Sequence, residues 1–336
     1  MKKVLIVRLD AIGDYILWRN CLRFIRNSGK YRDAHLTVLG NPAWRSLAEA
    51  FDADCADEWI WAENRADLFR KSIENLFPYC VWHRRVMQAQ KRLRLELIAR
   101  RFDEVISPTA FPDPLLDEFV QGLAPTVIGV SNGNPSRLSA YTRLLDAGTE
   151  PFVFSKNRRI TEAFAEEACK VSFELNLSEQ RRAENEIVFF CGASHWTKRW
   201  PCKRWLALEQ ILRRRMGVKI CYEGCVNSPR RPLNEFAARI SSACVIVSND
   251  TMALHLAAAL NVPAVGIVNG VAGHDSFWPY PRSLGKRVEI CAPSRIKPIP
   301  LPLIGSRLSQ YLALSSVCEE DVASAVEKVF DHGNCF

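Results

Sequence analysis

Three short stretches combine glycine, hydroxyl, charged and imidazole side chains where apolar runs end. The first contains Gly13 and Asp14, the second runs over 192–198, and the third runs over 250–255. An aspartate at such a position can remove a proton from a hydroxyl group, and a lysine can bind a phosphate as a point charge. These residue types therefore suit proton abstraction in the first stretch and phosphate binding in the other two.

The first stretch reads RLDAIGDYIL and follows an apolar run. We expect Gly13 to allow a tight backbone turn and Asp14 to lie at the start of a helix. An aspartate there is either a helix cap, which contributes about 1 kcal/mol, or a base facing a substrate. The stretch has no Gly-x-Gly-x-x-Gly pattern, so a dinucleotide fingerprint is not supported.

The second stretch reads GASHWTKRWP. Gly192 and the two small residues after it are expected to let a ligand approach the backbone. Ser194 and Thr197 offer hydroxyl groups, and Lys198 offers the cation. The alternative is a polar surface loop, but the two tryptophans of the stretch argue against exposure to water.

The third stretch follows the run CVIVSND. We expect a strand to end at Ser248 and a helix to begin near Thr251, whose free backbone N–H groups would form an anion site. Asp250 and Thr251 would lie at its mouth. His255, one turn further, is either a core residue or a ligand to phosphate or ribose.

Alternating strand and helix patterns must position these stretches. Residues 3–9 are apolar on both faces, as expected of a strand in a covered parallel sheet, and the alternation restarts at residue 186. The pattern predicts an α/β protein with two parallel-sheet domains and a ligand cleft at the strands' carboxyl ends. We place the N-terminal domain at 1–165, the second domain at 166–315 and a closing helix at 316–336, with an irregular linker near 155–185.

Composition narrows the class of partner. The 336 residues have a formal net charge of +8, which favours anionic partners, but no nucleic-acid-binding motif is present. The twelve cysteines include no Cys-x-x-Cys pair, so we expect buried thiols in a reduced, cytoplasmic protein. The first apolar run is too short for a signal peptide, and we find no membrane-spanning stretch.

A basic amphipathic run lies at residues 84–101 and contains seven basic residues and one acid. It is either a solvated helix face or a contact surface for an anionic lipid layer or a phosphorylated acceptor.

The three stretches together resemble glycosyltransferase family 9, the bacterial heptosyltransferases of lipopolysaccharide core synthesis. The resemblance rests on VLIVRLDAIGDYIL, GASHWTKRWP and SNDTMALHLAAALNVPAVGIV, which occur in this order. DSFWPYP at 275–281 resembles the family's aromatic segment after the last strand of the nucleotide domain, and SSVCEEDVASAV resembles its closing helix.

The resemblance implies a GT-B fold, in which two Rossmann-like domains face each other across the active site. It implies transfer of a heptose or similar sugar from an ADP-activated donor to a lipopolysaccharide core or other surface glycan, with inversion and without a metal or other cofactor. Asp14 would be the general base, with Arg8 and Gly13 on the acceptor side. The donor diphosphate and sugar would be bound by Gly192, Ser194, Thr197, Lys198, Asp250, Thr251 and His255.

The sequence departs from the family pattern at Met252, where glycine is usual, and at Cys191, where proline is usual. The segment after Gly224 is also short. These departures keep open a non-catalytic nucleotide-sugar or glycan binding protein of the same fold, and a sugar-nucleotide epimerase is a third alternative. We expect a cytoplasmic enzyme with peripheral contact to the inner membrane.

Overall fold

The computed structural model divides the chain into two compact units, Met1–Phe173 and Glu174–Phe336. The residues that it describes are 1–62, 91–109, 114–131, 139–177, 185–224, 231–270, 277–278, 280, 284–294 and 305–331. Each unit has its own parallel sheet, as the two runs of alternating elements predict.

Unit 1 contains a six-stranded sheet in the order β3-β2-β1-β4-β5-β6, and every neighbouring pair is parallel. The strands are β1 (Lys3–Arg8), β2 (His35–Gly40), β3 (Glu58–Trp61), β4 (Glu104–Ile106), β5 (Thr126–Ser131) and β6 (Arg143–Asp146). Strands β1 to β3 follow one another toward one edge of the sheet, and β4 to β6 follow one another toward the other edge. The strand order therefore switches between β1 and β4. Ligands of such sheets bind outside the carboxyl ends of the strands at this switch point.

The helices of unit 1 cover the sheet and bury its apolar strands. They are α1 (Ile12–Ile16), α2 (Arg19–Asn27), α3 (Arg45–Phe51), α4 (residues 91–99), α5 (Pro114–Val120) and α6 (Val153–Ala165), with 3₁₀ turns at Pro42–Trp44 and Ala53–Cys55. The central strand is fully enclosed, since Val4, Leu5, Ile6 and Val7 are all 0% exposed.

The prediction of an irregular linker near 155–185 is wrong for residues 155–165, which are helical. Residues 153–165 form α6, which buries Phe154, Ile160 and Phe164 and contacts α2. Pro151 and Gly148 before it suggested a loop, whereas the apolar residues recur at helical spacing and gain their stability from packing.

Unit 2 contains a five-stranded sheet in the order β11-β10-β9-β7-β8, again with parallel neighbours. The strands are β7 (Glu186–Phe190), β8 (Lys219–Glu223), β9 (Val245–Asn249), β10 (Ala264–Ile267) and β11 (Val288–Cys291). The switch point lies between β7 and β9, so the loops after Phe190 and Asn249 mark the expected ligand position.

The helices of unit 2 pack on both faces of this sheet. They are α7 (Cys202–Met216), α8 (Leu233–Ser241), α9 (Met252–Ala259), α10 (Gly305–Ser315) and α11 (Glu319–Asp331), with a 3₁₀ turn at Trp196–Lys198. The closing helix α11 contacts β9, β10, β11 and α7. Its residues Val322, Ala323 and Val326 are buried in the same core as Trp200 and Trp205.

The nine cysteines that the structure describes are all free thiols. Cys21, Cys55 and Cys169 are buried, and Cys202 is exposed. No helix in the described ranges is both long enough and apolar enough to cross a membrane.

Candidate functional site

Gly192 follows the end of β7 at the switch point of unit 2. A Cβ atom added to Gly192 would lie 2.1 Å from the carbonyl oxygen of Gly224. Gly224 follows β8 and has a left-handed φ of +66°. The space beside Gly192 is thus occupied by the neighbouring loop, which is a different reason for glycine from the ligand approach that we expected.

Thr197 and Ser194 are placed very differently by this loop. Thr197 is 3% exposed, and its hydroxyl lies 2.8 Å from Nδ1 of His195. The same imidazole nitrogen accepts from the backbone N–H of Thr197 at 3.3 Å. Ser194 is exposed. Of the two hydroxyls predicted to bind the donor, that of Ser194 is therefore the accessible one, whereas Thr197 stabilises the turn.

Lys198 lies beside Asp250, 52 residues later in the chain. The Nζ atom of Lys198 is 2.6 Å from Oδ2 of Asp250. The second carboxylate oxygen, Oδ1, accepts from the indole N–H of Trp278 at 3.0 Å. The Lys198 side chain is 39% exposed and that of Asp250 is 19% exposed, so the pair has access to solvent. The structure thus brings together the two charged residues predicted to bind the donor.

Asn249 joins the loop after β7 to the end of β9, a role that we did not predict from the sequence. Its Oδ1 accepts from the backbone N–H of Trp200 at 3.0 Å, and its amide donates to the carbonyl of Cys191 at 2.7 Å. The side chain is fully buried. Asn249 thus links the loop containing Lys198 to the strand end preceding Asp250. Its position directly before Asp250 in the SNDT stretch was the sequence signal that could have indicated this role.

Helix α9 starts where the sequence predicts. Thr251 is its N-cap, and the Thr251 hydroxyl accepts from the backbone N–H of Ala253 at 3.3 Å. Ser248 supports this cap, because its hydroxyl lies 3.0 Å from that of Thr251. Met252, the first residue of the helix, is partly exposed. The helix N-terminus next to Lys198 adds positive potential at the same position.

His255 lies inside unit 2 and is 5% exposed. Its Nδ1 is 2.6 Å from the hydroxyl of Tyr280, and its ring stacks on Trp278 with centroids 4.6 Å apart. Burial lowers the pKa of His255 to about 4, while Asp250 opposes the shift and Lys198 adds to it. His255 is therefore neutral near pH 7.

Tyr280 and Trp278 complete this cluster. Burial raises the pKa of Tyr280 well above its usual value, and Asp250 raises it further, so the phenol stays protonated. Trp278 contacts both His255 and Asp250. The cluster thus connects the core of unit 2 to the Lys198–Asp250 pair through aromatic side chains.

Arg8 ends β1 at the switch point of unit 1, where its side chain is buried. The side chain is 1% exposed, and its Nε donates to Oδ1 of Asp10 at 2.9 Å. Nη2 lies 2.9 Å from the other carboxylate oxygen, and Nη1 donates to the carbonyl of Pro108 at 2.7 Å. All three guanidinium nitrogens of Arg8 therefore have protein partners, and the acceptor-side role expected of Arg8 stays a prediction. Arg8 ties the loop after β1 to the segment after β4.

Asp14 and Gly13 lie in α1, directly after this loop. Oδ2 of Asp14 accepts from the backbone N–H of Ala11 at 3.2 Å, and the side chain is partly exposed. Asp14 therefore has the capping contact considered as its alternative role while remaining open to solvent. Gly13 is the second residue of α1, so its backbone is helical rather than the tight turn that we expected.

The acidic pair Asp52 and Asp54 has structural partners. Asp52 is fully buried and accepts from Arg19 at 2.6 and 2.9 Å and from the Tyr15 hydroxyl at 2.7 Å. Asp54 pairs with Arg23 at 2.7 Å. In the part of the chain that the structure describes, no three or more His, Cys, Asp or Glu side chains are grouped to hold a metal ion.

Residues 222–291 match the family model of glycosyltransferase family 9 (heptosyltransferase). The resemblance to this family is confirmed. The matched segment includes Asp250, Thr251 and His255, which the structure groups at α9. No curated protein sequence matches the chain significantly.

Two solved heptosyltransferases and a solved family 9 glycosyltransferase have the same fold over almost their whole length. E. coli heptosyltransferase WaaC with ADP-2-deoxy-2-fluoro heptose has a TM-score of 0.68 and 17% identity, covering 97% of this chain and 99% of that chain. E. coli ADP-heptose lps heptosyltransferase II has a TM-score of 0.63 and 17% identity, covering 99% of each chain. A family 9 glycosyltransferase from Veillonella parvula has a TM-score of 0.66 and 15% identity, covering 98% of each chain.

These comparisons confirm the predicted GT-B fold and, with the family 9 match, the prediction that the chain is a glycosyltransferase. At identities of 15–17% the solved structures establish the fold alone. The donor, the acceptor and the residue roles are therefore argued from the site.

Proposed function

We propose that this protein is an inverting, metal-independent glycosyltransferase that moves a heptose or similar sugar from an ADP-linked donor to a glycan hydroxyl. The observation that carries the proposal is the Lys198–Asp250 pair, 2.6 Å apart, beside the N-terminus of α9. The pair lies at a parallel-sheet switch point, where ligands of such folds bind.

The Lys198 ammonium and the N-terminus of α9 suit a nucleoside diphosphate. When the bond between sugar and diphosphate breaks, negative charge develops on the leaving group. A lysine ammonium and helix N–H groups can stabilise that charge, a task that a metal ion performs in other enzymes. Lys198 would thus exchange its contact with Asp250 for a phosphate oxygen, which leaves Asp250 available to accept hydrogen bonds from the sugar hydroxyls.

We assign the acceptor chemistry to Asp14. As a carboxylate it would take the proton of the acceptor hydroxyl while that oxygen attacks the anomeric carbon and the diphosphate departs. One attack of this kind inverts the anomeric centre. Ser194 is assigned to the donor side because it is an exposed residue, and Thr197 supports the turn that positions Lys198.

The choice of a heptose donor is supported by the family 9 (heptosyltransferase) match, and its ADP link by the E. coli WaaC structures, one with an ADP-heptose analogue and one with ADP. The choice of a lipopolysaccharide-core or other surface glycan acceptor is supported by the similarity to E. coli ADP-heptose lps heptosyltransferase II. Such an acceptor is membrane-bound, so we also propose a cytoplasmic enzyme with peripheral contact to the inner membrane.

A thermal-shift screen with ADP, GDP, UDP and their sugar conjugates tests the donor assignment. ADP-heptose and ADP should raise the melting temperature, because a ligand at a hundred times its Kd stabilises the folded state by about 2.7 kcal/mol. A shift with UDP or GDP compounds alone would overturn the ADP assignment. If no nucleotide changed the melting temperature, the non-catalytic alternative would replace this proposal.

A further inference from the structure

Among the residues that the structure describes, helix α4 (residues 91–99) contacts the rest of unit 1 by one side. Leu97 is fully buried, and Leu93 packs against the same apolar cluster, which includes Phe119. Arg94 also turns inward, donating to the backbone carbonyls of Phe119 and Gln121. These contacts fix the rotation of α4 about its axis.

The opposite side of α4 combines exposed apolar and basic residues. Leu95 is 57% exposed and Ile98 is 39% exposed, one helical turn apart. Lys91 and Arg92 are exposed, and they precede Leu95 by four and three residues, which places them beside it. We call Lys91, Arg92, Leu95 and Ile98 the basic–apolar face.

Glu96, the acidic residue of this helix, pairs with Arg100. Glu96 lies 3.3 Å from Nη2 of Arg100, at the border of the basic–apolar face. Arg100 also pairs with Glu58 of β3, with a shortest contact of 2.6 Å. Glu96 is thus held toward Arg100, and the charge presented beside Leu95 and Ile98 is positive.

We propose that the basic–apolar face binds an anionic lipid surface. Aliphatic side chains flanked by cations match a layer in which anionic headgroups cover an apolar interior. A phosphorylated soluble ligand would use the cations but would leave Leu95 and Ile98 in water. The proposal rests on the proposed function only for the identity of the membrane, the inner membrane. The expectation of lipid binding comes from the basic–apolar face of α4.

Vesicle co-sedimentation of the full chain tests this proposal. The probes are vesicles of phosphatidylcholine alone and of an equal mixture of phosphatidylcholine and phosphatidylglycerol. The chain should sediment with the mixed vesicles, and added salt should weaken the binding. Each cation near an anionic surface is expected to contribute roughly fivefold in affinity, so Lys91→Gln with Arg92→Gln should lower it by up to about 25-fold. Leu95→Ser with Ile98→Ser should also weaken binding, with the salt dependence retained.

The control makes one change of each kind, apolar to Ser and basic to Gln, on another helix. Leu206 of α7 is 57% exposed, like Leu95, and Arg214 of the same helix is also exposed. Leu206→Ser with Arg214→Gln should leave vesicle binding unchanged. All variants change exposed residues, and their melting temperatures should stay within about two degrees of the parent.

Several outcomes would overturn the proposal. One is equal sedimentation with both kinds of vesicle, or with neither. Another is an equal loss in the α7 control and the α4 variants. A third is a dimer in sedimentation equilibrium that Leu95→Ser with Ile98→Ser dissociates, because the face would then bind a second copy. The assay contains no donor, and Asp14→Ala should bind vesicles normally, so a failure of the proposed transfer reaction would be recognised separately.

Discussion

Protonation of His255 should couple the stability of unit 2 to pH. The unperturbed imidazole has a pKa of 6.5, whereas burial lowers that of His255 to about 4. Between these values the unfolded chain binds more protons than the folded chain, so the contribution of His255 to stability is fully present above pH 6.5 and is lost as the pH falls toward 4. Linkage gives a loss of roughly 2 kcal/mol at pH 5 relative to pH 7.5.

The assay is urea unfolding at both pH values, monitored by tryptophan fluorescence. Trp278 is one of the tryptophans observed, and it stacks on His255. His255→Gln should remove about 2 kcal/mol of the pH dependence, whatever its effect at pH 7.5. His35→Gln is the control for replacing an imidazole at a partly exposed position, the start of β2. If the parent and His255→Gln lost equal stability on acidification, the conclusion that His255 is buried as a neutral imidazole would be refuted.

Two further changes test the loop between β7 and α7. Lys198→Met should weaken ADP binding roughly tenfold in calorimetry, because a charge-assisted hydrogen bond to a partly exposed lysine contributes about 1.5 kcal/mol. Lys203→Met, five residues away and exposed, should bind ADP normally, and equal loss in both would contradict the assignment. Gly192→Ala should lower the free energy of unfolding by about 1–3 kcal/mol, because the new Cβ would lie 2.1 Å from the Gly224 carbonyl oxygen. Gly29→Ala should have little effect, because a Cβ added to Gly29 would have no atom within 4 Å apart from those of its chain neighbours. Unchanged stability of Gly192→Ala would show that the two loops separate freely.

The strands and the start of α9 could be predicted from sequence because their signals are local. The run at Lys3–Arg8 is apolar on both faces, as a covered parallel strand must be. Thr251 is a favoured N-cap residue before an apolar helix, and it caps α9. Signals of this kind need no knowledge of the rest of the chain.

The contacts across the site could not be predicted in the same way. The pairing of Lys198 with Asp250 depends on β7 lying beside β9, and the requirement for glycine at 192 depends on the loop after β8. Arg8 looked available as a cation, but its burial depends on Asp10 and on the distant Pro108 carbonyl. Sheet order decides the contacts of Lys198 with Asp250, of Gly192 with Gly224 and of Arg8 with Pro108, and residue types alone do not specify it.

A transfer assay with ADP-heptose tests the central claim most directly. The purified chain, a lipopolysaccharide-core acceptor and the donor are incubated with a chelator, and mass spectrometry follows the acceptor while ADP release is measured. The account predicts a heptose-sized mass increase that persists with the chelator. It also predicts that Asp14→Ala abolishes transfer yet still binds ADP, because Asp14 acts on the acceptor proton. Undiminished transfer by Asp14→Ala, or transfer that the chelator stops and added divalent metal restores, would contradict the account.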